Sequence, residues 1–396
     1  MEGDLRTILA IQGLRAFLYG FGSVLIGTIL AAGGLSSTAV GVVFTSMLAG
    51  MALSSLAIGR WGDRLGRRRS YALLLLIMGG AGAVFASTRW FPALVIAALT
   101  GTLSTDPNES GPITSIEQAM MGGAPAETRA RVFGRYNAIA YLAGSFGALA
   151  AGGPMFFRRY FPSLPADQRW LFVFPAVAVA CALLAKTMSA AVETEDRAKA
   201  HLVRSKRTIR GLALLFSLDA FAGGFVVQAF LVYWFHRRYG ATATQMGLVF
   251  FGAGLLQAGS SIAAGRVAAK IGLLNTMVFT HLPSNLLLMA VPFSPVLGGA
   301  VALLLARSAL SQMDVPARQA YVVTMVDPSE RTAASAYTNT ARYITRPAGP
   351  VGAGALLRVA LPAPFVAAGS LKILYDVILY GSFRRVPLED AGPLRR

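Results

Sequence analysis

The sequence predicts an all-α membrane protein of twelve transmembrane helices in two pseudo-symmetric six-helix bundles. Three observations carry that prediction. Apolar residues make up 55% of the 396 residues and charged ones 14%, with a mean hydropathy of +0.57, more than a soluble core of this size requires. The apolar residues fall into runs suited to a bilayer crossing of about 20 helical residues. The chain also echoes itself at about half its length.

In order, the runs cover residues 7–32, 37–58, 70–88, 91–121, 132–156, 169–190, 209–235, 242–265, 273–293, 296–320, 333–357 and 362–383. Transmembrane strands would need alternating segments of about ten residues. None is present, so the runs are read as helices that satisfy their own backbones. The first run follows Glu2 and Asp4, a poor cleavable leader, so it stays as a helix. A basic knot, Gly59 to Arg69, separates the second run from the third. The fourth contains "TGTLSTDPNESGPITS", where Pro107 and Pro112 remove backbone donors and Gly111 loosens the chain. The sixth holds the single Cys181, which excludes an internal disulfide.

After it comes a mixed-charge segment, Val192 to Arg210, read either as a solvated linker or as a short helix lying on the membrane. The expected organisation is a first bundle over 1–190, a cytoplasmic linker over 191–208 and a second bundle over 209–396. "LRAFLYGF" from Leu14 matches "LDAFAGGF" from Leu218 at an offset of 204, and "GRWGDRLG" from Gly59 matches "GRVAAKIG" from Gly265 at 206. Asp106-Pro107 against Asp314-Val315-Pro316, and Asn137 against Asn339, are weaker echoes at similar separations.

The net charge of +18 could suggest a nucleic-acid partner, but its distribution excludes that. With both termini in the cytoplasm, 23 of the 36 Lys and Arg fall in cytoplasmic segments and 7 in external loops, as the positive-inside rule requires. The basic excess therefore orients the chain and touches anionic lipid headgroups. The expected location is the plasma (inner) membrane.

Setting aside Arg135, Arg169, Lys186 and Arg210 at run ends, six acids and six bases nevertheless lie inside the apolar runs: Asp106, Glu109, Glu117, Asp219, Asp314 and Asp376 against Arg15, Arg307, Arg318, Arg342, Arg346 and Lys372. Facing lipid, each would cost about 3 kcal/mol or more. They must face protein or water, and one another. Glu117, Arg318 and Arg342 lie nearer run ends and weigh less. Arg15 occupies the repeat position of Asp219, so the two are expected to pair between halves, either as a switch for substrate or proton or as a permanent register pin. Asp106 and Glu109 in the broken fourth run are expected to line an aqueous site, with Asp314 as the symmetric counterpart. Lys372 and Asp376 are spaced for a local salt bridge. His201, His236 and His281 form no metal-ligand spacing, and no phosphate-binding loop points to ATP.

The knot "GRWGDRLGRRR" resembles the signature between helices two and three of the major facilitator superfamily, Gly-x-x-x-Asp-Arg-x-Gly-Arg-Arg. The resemblance implies two bundles around a cavity open alternately to either side. It makes Gly59, Asp63, Arg64, Gly66 and Arg67 a gating motif, with Asp63 latching the cytoplasmic side. In the second half Ala269 replaces the aspartate. A glycine series of proton-driven exporters is partly matched by "GSFGALAAGG", with Leu149 at its proline and Ala148 at one glycine. The arginine expected in helix four is missing, and Arg307 in helix ten is its nearest counterpart. The expected function is that of a secondary active transporter, an antiporter coupling protons to efflux of a drug or metabolite. Transport of an organic anion and a non-transporting membrane sensor are the alternatives. The expected partners are a small-molecule substrate, protons and anionic lipids; the expected state is a monomer, with no cofactor, no metal and no enzymatic activity.

Overall fold

The computed structural model describes residues 2–106, 111–121, 126–165, 167–193, 205–326 and 330–385. Among them every regular element is helical. The first three runs become α1 (Glu2–Ala32), α2 (Ser37–Leu65) and α3 (Arg67–Ser87). The fourth divides into α4 (Phe91–Leu99) and α5 (Pro112–Met121), the fifth into α6 (Ala126–Ala150) and α7 (Gly153–Tyr160), and the sixth is α8 (Val173–Lys186). In the second half come α9 (Lys206–Gly224), α10 (Gln228–Tyr239), α11 (Ala243–Ile271) and α12 (Leu273–Ala290). They are followed by α13 (Leu297–Leu310), α14 (Asp314–Thr324), α15 (Arg331–Thr345), α16 (Ala348–Leu356) and α17 (Ala363–Phe383).

Nine helical stretches among the described residues are long and apolar enough to cross a membrane. The three other predicted runs, 91–121, 296–320 and 333–357, are each broken into two shorter helices. The fourth and tenth runs are repeat partners, so the interruption itself is duplicated. The backbone carries the same period at its turns. Gly34 and Gly240 have φ of 72° and 66°, and Gly66 and Gly272 have φ of 84° and 85°. Only glycine enters that left-handed region without steric cost.

The chain forms two compact units, neither continuous in sequence. The first joins Met1–Glu195, Val226–Leu255 and Pro350–Val359; the second joins Asp196–Phe225, Leu256–Gly349 and Ala360–Arg396. Thus α10, the start of α11 and the tail of α16 belong to the first unit although they come late in the sequence.

Within the first unit α6 lies against α1 at backbone contact. A Cβ on Gly147 would fall 1.9 Å from the Phe17 carbonyl oxygen, and one on Gly20 would fall 1.9 Å from that of Gly144. The glycine series of the fifth run therefore has a packing role: it lets two helices touch without side chains between them. In the second unit α9 meets α15 and α16 in the same manner, with a Cβ on Gly349 only 2.5 Å from the Gly224 carbonyl carbon. Phe216, Tyr321, Tyr375 and Leu379 fill the core beside that crossing.

Gly147→Val is expected to destabilise the protein by about 3 kcal/mol or more, because the obstruction is backbone and cannot rotate away. Gly80→Ala, inside α3 with nothing within 4 Å of the new Cβ, should hold or slightly raise the thermal midpoint in detergent.

Candidate functional site

Two ionic centres stand out, one in each unit. In the first, Arg15 of α1 meets Glu117 of α5 at 2.6 Å, with side chains 3% and 0% exposed. The Tyr71 hydroxyl of α3 donates to Glu117 Oε1 at 2.6 Å and the Tyr136 hydroxyl of α6 donates to Oε2 at 2.5 Å. Arg15 also donates to Gln12 one turn back and lies 5.2 Å from the Tyr19 ring centroid. Four helices thus converge on one carboxylate whose two oxygens are fully engaged.

The pairing expected between Arg15 and Asp219 is therefore replaced in this structure. Arg15 takes Glu117 inside the first unit, and Asp219 takes partners inside the second. Helices adjacent within a unit supply a counter-ion at hydrogen-bonding distance, which leaves neither group in need of a remote one.

The interrupted fourth run lies in the first unit. Thr102, Ser104 and Thr105 are buried rather than open to water. Their backbone is satisfied by protein: the Tyr19 hydroxyl donates to the Thr102 carbonyl at 2.7 Å, Ser54 donates to that of Thr100 at 2.9 Å, and the Ala229 amide donates to that of Thr105 at 3.1 Å. The half-buried Asp106 accepts at Oδ1 from the Gln228 amide at 2.9 Å. Since Gln228 begins α10, Asp106 serves as a helix cap supplied from another segment, a carboxylate on the positive end of the helix dipole. The aqueous lining expected here gives way, over its described part, to a packed junction. Glu109 lies outside the described residues.

The second centre gathers around Asp219 of α9. Lys372 of α17 donates to Oδ1 at 2.5 Å and Arg318 of α14 to Oδ2 at 3.3 Å. The same Arg318 nitrogen reaches Asp314 Oδ2 at 3.1 Å, one turn back. His281 of α12 stands between two carboxylates, with Nε2 3.8 Å from Asp219 Oδ1 and Nδ1 2.9 Å from Asp376 Oδ1. Asn285, one turn further along α12, donates to Asp376 Oδ2 at 3.3 Å.

Asp219, Asp314, Asp376, Arg318, Lys372 and His281 are all buried. The Arg342 Nε and Asn285 Oδ1 are also buried, and among the described residues they have no hydrogen-bond partner. The local Lys372–Asp376 bridge expected from their spacing does not form. The two share a face of α17, but each reaches a different helix, Lys372 to α9 and Asp376 to α12. Arg307 sits half-buried on α13, on a separate element from these partners of Asp219.

Around the basic knot, Gly66 caps α3 and Glu193 closes over it. Glu193 accepts from the Arg67 amide at 2.6 Å and the Arg68 amide at 3.1 Å. The guanidinium groups turn to helix ends, Arg67 donating to the Ala119 carbonyl at 3.3 Å and Arg68 to that of Met188 at 2.9 Å. Cations are favoured there by the helix dipole. Burial raises the Glu193 carboxyl, but the two amides and the Arg68 side chain outweigh it and hold the group below the usual glutamate range. The chain of α2 passes through Gly59, Asp63 and Arg64, whose side chains lie outside the described part.

Sequence reasoning underweighted Glu117, Arg318 and His281. The signal for Glu117 was present, since Pro112 starts a new helix and places Glu117 in its middle rather than at its end.

Broken crossings and ion centres buried among helices define a multi-pass helical membrane protein with a polar interior. The model of the Major Facilitator Superfamily matches residues 9–350, and the chain belongs to that family; it is a membrane transporter for a small molecule, not an enzyme. It is 22% identical to an uncharacterized membrane protein of Saccharomyces cerevisiae, over 99% of this chain and 97% of the relative. Its fold is similar to that of a nucleoside transporter (TM-score 0.73, 13% identity, 97% of this chain and 98% of the other). It is similar also to that of a D-xylose-proton symporter (TM-score 0.69, 16% identity, 98% and 99%).

Glu117→Gln should cost about 3–5 kcal/mol by stranding the Arg15 charge while leaving an acceptor for the phenols. The double variant Arg15→Met/Glu117→Gln should melt closer to the wild type than the single one. A larger loss in the double variant than in the sum of the singles would show that the pair is not the source of the effect.

For Glu193, the depressed carboxyl contributes stability that is complete above about pH 5, declines as pH falls past the ordinary value of about 4.3, and is gone below the folded value. Glu193→Gln should therefore melt lower than wild type at pH 7, with the gap narrowing as pH falls below the ordinary glutamate value. A gap that does not change with pH would count against the capping account.

Proposed function

We propose that the chain is a proton-driven secondary active transporter that works by alternating access and exports a drug or metabolite. The observation that carries this reading is the over-supplied carboxylate of Asp219, held by Lys372 and Arg318 with His281 nearby. Protonating Asp219 would release Lys372, while Arg318 would keep Asp314, already at 3.1 Å. The cluster thus has a second arrangement of its ion pairs, and a ligand that binds one arrangement better than the other would shift the balance between them. His281, between Asp219 and Asp376, is suited to hand a proton from one carboxylate to the other. Asp106 and the Arg15–Glu117 pair act in this scheme as structural pins.

The sequence halves 1–190 and 209–396 are the proposed moving bodies, with Gly59, Asp63, Arg64, Gly66 and Arg67 as the gating motif. Both termini are proposed to lie in the cytoplasm and the protein to sit as a monomer in the plasma membrane, its basic knots against anionic lipids. An organic anion as substrate is the second reading. It is favoured by the Arg342 Nε, buried and without a hydrogen-bond partner among the described residues.

The test uses proteoliposomes with a trapped pH dye and an imposed pH gradient, challenged with a library of cationic, neutral and anionic compounds. Wild type should move protons when a transported compound is added. Asp219→Asn should lose uphill transport to background while still exchanging substrate across the membrane. An Asp219→Asn protein that concentrates substrate as well as wild type would overturn the assignment.

A further inference from the structure

Away from both ionic centres, the first unit holds a cavity of about 590 Å³ at the turn between α1 and α2. Gly34, Ser37 and Thr38 line it from the turn, Tyr233 and Arg237 from α10, and Arg358 from the segment after α16. Its floor is polar and built: Ser37 is 5% exposed and Tyr233 2%. Arg237 donates to the hydroxyls of both Ser37 and Tyr233, the latter at 3.1 Å. The guanidinium is thereby fixed at the cavity with further N–H groups to spare. Arg358 is exposed and has no ion-pair partner among the described residues.

No acid lines the cavity. In the predicted topology the external loops carry seven arginines, Arg89, Arg158, Arg159, Arg169, Arg237, Arg238 and Arg358, against one acid, Asp167. Such an excess focuses anions toward a concave basic site.

At the start of α2, Ser36 takes the Ala39 amide on its hydroxyl at 3.2 Å and the Val40 amide on its carbonyl at 3.0 Å, which leaves the Ser37 and Thr38 amides outside the helix's own bonding. Two guanidinium groups beside a helix start at one cavity match the three-oxygen or two-oxygen face of an oxyanion.

We propose that this cavity binds a small oxyanion, a phosphate or a carboxylate, taken from the solution on the side of the membrane that the α1–α2 turn faces. The site is separate from the Asp219 cluster and does not depend on its role. Its volume admits a phosphorylated or carboxylated metabolite of modest size.

The test is made on the full-length protein in nanodiscs of neutral lipid, titrated with inorganic phosphate and with succinate while intrinsic tryptophan fluorescence and the thermal midpoint are followed. Wild type should respond saturably to at least one of them. Arg237→Gln and Arg358→Gln should each weaken binding by about ten-fold, the worth of one charge-assisted hydrogen bond. Arg89→Gln, remote from the cavity, should bind as wild type. Arg237→Lys, which keeps the charge without the fork, should fold and bind weakly, so that a failure of the glutamine variants to fold does not remove the test.

A response that appears only in nanodiscs containing phosphatidylglycerol would overturn the assignment to a soluble anion and identify a lipid headgroup instead. No saturable response in either lipid, or equal binding by the Arg237→Gln/Arg358→Gln double variant, would remove the site altogether.

Discussion

A charge inside an apolar slab has no water to fall back on, and most of this molecule can be derived from that constraint. Each ionised group within a crossing must find its counter-ion and its hydrogen bonds among neighbouring helices, or the helix cannot remain in the membrane. The same rule applies to the backbone. Where the fourth run abandons helical geometry after Thr100, its freed carbonyls are taken by Tyr19, Ser54 and the Ala229 amide. The break persists because it is paid in hydrogen bonds from three other segments. Those bonds also fix α10 to the first unit, with Asp106 on its leading amide.

The two ionic centres answer the constraint in opposite ways. Around Glu117 there is one cation, and two phenols complete the acceptor count, so nothing is left over for a proton or a substrate. Around Asp219 there is surplus: a lysine, an arginine and an imidazole share one carboxylate, and Arg318 divides itself between Asp219 and Asp314. A closed set of partners makes a pin. An open set leaves Arg318 a second carboxylate at nearly the same distance. Arg15 and Asp219 occupy equivalent repeat positions with opposite charge, yet one has a closed set of partners and the other an open one.

The architecture was largely legible in the sequence, because hydropathy, run length and an internal offset are properties of the chain alone. Gly66 and Gly272 illustrate this: they align in the repeat and adopt the same left-handed φ before helices that follow them. The proline and glycine pattern of residues 100–112 likewise announced a broken helix. What stayed hidden was partnership. Lys372 and Asp376 are spaced for each other, yet the lateral packing of α9 and α12 offers each a nearer partner. Spacing along one helix reports which residues share a face, and it cannot report which helix that face meets. His281 escaped notice for the same reason, since its carboxylates come from α9 and α17, far away in sequence.

Glu117 shows the same limit in the depth of a charge. It lies only a few residues from the end of its apolar run, where a charge reads as cheap because it can snorkel to the surface. That inference assumes a continuous helix and a membrane boundary at the end of the run. With the helix restarted at Pro112, Glu117 falls mid-helix, and α1, α3 and α6 enclose it completely. A charge that cannot reach water must be neutralised where it stands, so its exposure of 0% and its two short phenolic bonds are a single consequence of where the helix begins. In a chain built from interrupted crossings, the depth of an ionisable residue is set by the interruptions, and counting from the ends of apolar runs will misplace the groups that matter most.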